Sequence, residues 1–116
     1  MNCSGSGEIG FEGSVGEVFD NLTERAVGNG GFAVVEVKGL FGLAQCWETV
    51  SGDGCRECLM KAGKELKEGC LPRKEGRAMN AGCYLRYSDH KFFNNEADKM
   101  KESSGNSSTL PLYIDR

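Results

Sequence analysis

Six cysteines, at positions 3, 46, 55, 58, 70 and 83, lie in a chain of 116 residues. An even number in so short a chain favours three disulfides and an oxidising compartment, where bridges add stability to a small core. Spacing alone leaves roughly 15 pairings open for six cysteines. Two other chemistries compete for the same residues. A zinc site needs a second ligand pair, yet beyond Cys55 and Cys58 there is no further C-x2-C and the one histidine is His90. A thiol oxidoreductase would use Cys55-Arg56-Glu57-Cys58, since a helix start lowers the thiol pKa of its first cysteine. Such motifs follow a buried strand in a βαβ unit, and here four other cysteines are available to occupy both sulfurs. Bridging is the favoured reading, and each bridge restricts the unfolded chain by roughly 3 kcal/mol.

The length suits one domain with its own core. With 39% hydrophobic and 27% charged residues, a folded core is expected. A net charge of -3, with both signs interspersed, offers no basic field for nucleic acid. The longest mainly apolar stretch, Gly39 to Trp47, is too short to span a bilayer, so no membrane contact is expected from these residues. Met1-Asn2-Cys3-Ser4 lacks the basic segment and apolar run of a signal peptide, so a targeting sequence is expected outside this chain. No cofactor or metal motif emerges. Gly5, Gly7, Gly10 and Gly13 do not follow a strand as a phosphate loop requires. His90 has no nucleophile partner in sequence and reads as a surface-loop histidine. The chain is therefore expected not to be an enzyme.

Element by element, Ile9 and Phe11 suggest a short edge strand tied down through Cys3. Ser14 and Glu17 fit a capping box, so a helix is predicted to start there. Val15, Val18, Phe19, Leu22 and Ala26 continue it as an apolar stripe until Gly28, Gly30 and Gly31. Phe32 to Lys38 and Leu40 to Trp47 read as consecutive antiparallel strands around Gly39, with Trp47 packed on a bridge. The turn at Ser51-Gly52-Asp53-Gly54 caps a second helix, in which Cys55, Cys58, Leu59, Ala62 and Leu66 form the buried stripe. Glu57, Lys61, Lys64, Glu65 and Glu68 form its solvated face. Beyond the break at Gly69-Cys70-Leu71-Pro72, Arg77 to Tyr87 is predicted as one strand and Lys91-Phe92-Phe93 as another. The result is an α+β domain over residues 1–93, with a flexible polar tail over 94–116. Asn21-Leu22-Thr23 and Asn106-Ser107-Ser108 match the N-glycosylation pattern, with Asn21 expected to face solvent; Asn2-Cys3-Ser4 matches as well, with a bridged cysteine at its centre.

The words Gly42-Leu43-Ala44-Gln45-Cys46-Trp47 and Gly76-Arg77-Ala78-Met79-Asn80-Ala81-Gly82-Cys83-Tyr84-Leu85-Arg86-Tyr87 flank a C-x8-C-x2-C signature at Cys46, Cys55 and Cys58. Together they resemble the plant stress-antifungal domain, the ginkbilobin-like ectodomain of cysteine-rich receptor-like kinases. The resemblance runs from Cys3 to Phe93 and is nearest to the membrane-proximal copy of the usual pair. It implies two helices packed on an antiparallel sheet of about five strands, an arrangement in which helices segregate to one face. It also implies the pairing Cys3 with Cys70, Cys46 with Cys55 and Cys58 with Cys83.

By the same resemblance, the chain is a non-catalytic extracellular recognition module of a receptor-like kinase, or a truncated secreted relative, in defence and stress signalling. It would sit in the apoplast or on the outer face of the plasma membrane and bind an extracellular protein or carbohydrate. The alternative is a secreted mannose-binding antifungal lectin. In that lectin an Asn, an Arg and a Glu hold the sugar, and the matching positions here are Ser4, Arg77 and Ser88. Only the arginine is kept, and loss of the carboxylate removes a charged acceptor for sugar hydroxyls.

Overall fold

The computed structural model describes residues 1–5 and 12–93. Its elements run β1 (Asn2–Ser4), α1 (Glu12–Gly28), β2 (Phe32–Val37), β3 (Leu40–Cys46), α2 (Gly52–Gly69), β4 (Glu75–Met79) and β5 (Cys83–Ser88). The strands form one antiparallel sheet in the order β1-β4-β5-β3-β2, with both helices packed on one face.

The β2–β3 hairpin turns through Lys38 and Gly39, both at positive φ, 53° and 81°. Two left-handed residues match the twist of the flanking strands, and glycine adopts that region without a Cβ penalty. At the other end of the pair, α2 begins at the predicted cap: the Ser51 hydroxyl accepts a hydrogen bond from the Gly54 amide at 3.0 Å. Helix α1 begins two residues before the predicted cap. Ser14 therefore lies inside the first turn and is buried, and the capping box at Ser14 and Glu17 is not the start of the helix.

Strand alternation sorts the residues into two faces. Ala33, Val35, Leu40, Ala44, Ala78, Leu85 and Tyr87 point to the helices and join Val15, Val18, Phe19, Leu22, Ala26, Leu59, Ala62 and Leu66 in the main core. Gly42 lets α1 approach β3: a Cβ there would lie 2.6 Å from Val18 Cγ1 and 2.7 Å from Leu22 Cδ1. Between the helices, Arg56 of α2 pairs with Glu24 of α1, a contact that raises the arginine pKa further.

The cysteines form three bridges, Cys3–Cys70, Cys46–Cys55 and Cys58–Cys83, with no free thiol. Each joins α2, or the residue just after it, to a different strand: β1, β3 and β5. Because Cys55 and Cys58 are each bonded elsewhere, the C-x2-C segment presents neither a thiolate pair nor a ligand pair. Among the described residues no helix is long and apolar enough to cross a membrane, and no group of three or more His, Cys, Asp or Glu is placed to hold a metal ion.

Several expectations are corrected. The segment from Arg77 to Tyr87 is two strands, because residues 80–82 turn the chain and the Asn80 amide donates to the Cys83 carbonyl at 2.9 Å. Lys91 to Phe93 is not a strand; it folds back over the outer sheet face. Among the described residues an edge strand, Asn2–Ser4, precedes α1 and carries Cys3. Ile9 and Phe11, and the tail over 94–116, lie outside the described residues. Trp47, expected against a bridge, is 37% exposed.

Candidate functional site

On the sheet face away from the helices, the strand register brings polar side chains together. Asn2 of β1 lies opposite Arg77 of β4, and Ser4 lies opposite Glu75. Arg77 in turn lies opposite Arg86 of β5, and Glu75 opposite Ser88. Directly paired residues share a face. The outcome is a cleft of about 350 Å³ lined by Asn2, Cys3, Ser4, Glu75, Gly76, Arg77 and Arg86.

Two guanidiniums placed directly opposite each other repel. On one side that repulsion is offset, because Arg86 Nη2 donates to Glu75 Oε1 at 3.1 Å and both side chains are largely shielded from solvent. Arg86 also stacks its guanidinium 4.1 Å from the centroid of the Phe92 ring. Phe92 packs edge-on against Phe93, and Phe93 against Phe41 of β3, so residues beyond β5 brace the cleft wall. Arg77 is exposed and pairs with no described carboxylate. The cleft therefore offers one committed arginine, one uncommitted arginine, a carboxylate, an amide and a hydroxyl. Such a set orients a polar ligand through hydrogen bonds.

Of the three residues singled out for sugar contact, the structure brings two together. Ser4 and Arg77 both line the cleft, whereas Ser88 is fully buried at the end of β5. Its hydroxyl accepts from the His90 amide at 3.2 Å and lies 3.1 Å from His90 Nδ1, which withdraws it from any ligand. His90 itself lies in the exposed loop, 3.3 Å from Asp89 Oδ1. Asn21 on α1 is half-buried, and the Thr23 hydroxyl of its triplet is buried, donating to the Phe19 carbonyl at 2.9 Å. Asn106 lies outside the described residues.

From the sequence, Asn2 stood out only as a match to the glycosylation pattern, and Glu75 and Arg86 were not singled out as ligand contacts. The signal was present as period-two alternation, Glu75-x-Arg77 and Arg86-x-Ser88, and it becomes informative once the hairpin between them is recognised.

The chain has relatives among known proteins, in sequence and in fold. The family described as salt stress response/antifungal matches residues 2–90. The chain is 54% identical over 80 residues to cysteine-rich receptor-like protein kinase 42 of Arabidopsis thaliana, a match covering 69% of this chain and 12% of that protein. It is 33% identical over 88 residues to an antimicrobial ginkbilobin-2-like protein of Castanea crenata, covering 71% of this chain and 36% of the relative. The chain thus spans a small part of the kinases it resembles. Its fold is similar to the crystal structure of the tandem DUF26 ectodomain of the Arabidopsis thaliana cysteine-rich receptor-like protein PDLP5, with a TM-score of 0.64 at 24% identity, over 78% of this chain and 43% of that one.

Proposed function

Because the chain belongs to the salt stress response/antifungal family, we propose that it is a non-catalytic extracellular recognition module that binds a ligand in plant defence or stress signalling. It would belong to a cysteine-rich receptor-like kinase or to a secreted relative, facing the apoplast or the outer side of the plasma membrane. Residues 1–93 form the module in this reading, and 94–116 the polar tail that follows it. Three bridges and no free thiol suit an oxidising compartment.

The observation that carries the recognition reading is the cleft between β1, β4 and β5, which gathers donors and an acceptor from the first strand and from a hairpin far along the chain. Its volume lies near the lower end of the roughly 300–1,000 Å³ range of small-molecule sites. The test is to secrete the oxidised chain, immobilise it, and screen plant and fungal glycans and extracellular proteins for saturable binding. Binding that is lost in Arg77→Ala, at an unchanged melting temperature, is the expected result. Absence of binding across the screen, or binding indifferent to Arg77, sinks the reading.

The mannose-lectin reading depends on a third contact where Ser88 stands, and Ser88 is buried against His90. No retention of the chain on a mannose matrix is expected, and firm retention eluted by free mannose would restore that alternative.

A further inference from the structure

We infer that the ligand of this cleft is a sugar acid, a hydroxylated molecule whose carboxylate is held by Arg77. The inference rests on the recognition reading and names the ligand class of the same site.

The cleft sets two arginines against one carboxylate. Glu75 is committed to Arg86, and Arg86 is further held by the Phe92 ring, so that pair is pre-organised before any ligand arrives. Arg77 stands directly across from Arg86 with no carboxylate of its own among the described residues. A ligand anion placed at Arg77 completes the alternation of charge across the strands and relieves the repulsion between the paired guanidiniums. The planar fork of arginine fits a carboxylate with two parallel hydrogen bonds, which a neutral ring hydroxyl does not reproduce.

The neutral walls specify the rest of the molecule. The Asn2 amide and the Ser4 hydroxyl each donate and accept, and Glu75 keeps oxygen acceptor sites beyond its bond to Arg86. Those groups suit hydroxyls beside the carboxylate. Apolar side chains of the outer face, Phe32, Val34 and Leu43, gather under Phe93 on the other half of the sheet and do not line the cleft. A peptide with bulky apolar anchors is thereby disfavoured. The chain as a whole is acidic, at net charge -3, so the positive character is local to the cleft and acts at short range.

The test is calorimetric titration of the oxidised secreted chain with three probes: an oligogalacturonate, the same oligomer with its carboxylates methyl-esterified, and a glutamate-rich peptide. The acid oligomer should bind about tenfold or more tightly than its ester, and Arg77→Ala should lose a similar factor, as one charge-assisted contact predicts. Arg77→Lys should retain part of the affinity, and added salt should weaken binding. Unchanged melting temperatures separate these losses from misfolding. Equal binding of acid and ester overturns the sugar-acid inference while leaving the recognition reading intact. Preference for the glutamate-rich peptide overturns it in favour of an acidic peptide. If none of the probes binds while another ligand is lost on Arg77→Ala, the ligand class is wrong and the site is right; if nothing binds at all, the recognition reading falls with it.

Discussion

Tyr87 shows how one buried side chain links the core to the sheet rim. It is fully buried on the helix side of β5, its ring meets Phe19 edge-on, and its hydroxyl donates to the Arg73 carbonyl at 2.9 Å. Burial, with a smaller contribution from the charge of Glu75, pushes its pKa up from the ordinary value near 10 to about 12. Below the unfolded-state pKa both states hold the neutral phenol, and its full contribution to stability is present. Between about pH 10 and 12 the unfolded chain ionises while the folded one does not, so stability falls as pH rises. The total loss is on the order of 2–3 kcal/mol for a shift of this size. Denaturant midpoints measured at neutral and alkaline pH should show that decline in the wild type and much less of it in Tyr87→Phe. The substitution itself should cost about 1 kcal/mol at neutral pH through the lost hydrogen bond. A wild-type midpoint flat across that alkaline window would contradict the assignment.

At the scale of elements, both helices and the β2–β3 hairpin were legible because each has a strong local signal. The apolar stripe from Val15 to Ala26 is fully buried, Ser51 caps α2, and the segments on either side of Lys38 and Gly39 pair as expected. The β4–β5 hairpin was hidden for a physical reason. Its turn lacks the two-residue Asn-Gly signature, since Ala81 separates Asn80 from Gly82, and Met79, Tyr84 and Leu85 make the segment read as one continuous strand. That single misreading also concealed the cleft, whose walls face each other only through this hairpin. At the start of α1, Ser14 and Glu17 have the right spacing for a cap but the wrong position, which spacing alone does not reveal. The better-formed β2–β3 turn still contains one improvable residue, Lys38, held at φ 53°. Lys38→Asn should raise stability by about 0.5–1 kcal/mol, because asparagine tolerates the left-handed region better. A melting temperature that falls on this substitution would show that the lysine side chain makes a contact outweighing its backbone cost.

Across the whole molecule, the three bridges close loops of very different length, with sequence separations of 67, 25 and 9 residues. If the chief effect is on the unfolded chain, removing them pairwise to alanine should cost roughly 4, 3.5 and 2.5 kcal/mol in that order, for Cys3–Cys70, Cys58–Cys83 and Cys46–Cys55. Chemical denaturation of the three double variants gives the ranking directly, and an inverted order would point to native-state packing at the short bridge as the larger effect. The bridge between Cys3 and Cys70 has a mechanical consequence as well. A pull applied between Met1 and Phe93 passes from Cys3 straight to Cys70, so the chain between Cys3 and Cys58, with α1, β2 and β3, is bypassed by the load. Between Cys70 and Cys83 the tension divides between the stretch carrying β4 and the second part of α2, which the Cys58–Cys83 bridge sets in parallel; beyond Cys83 it falls on β5, which sits between two hydrogen-bonded neighbours. In a single-molecule stretching experiment the oxidised domain should therefore keep α1, β2 and β3 out of the extension, and reduction should release them as additional slack.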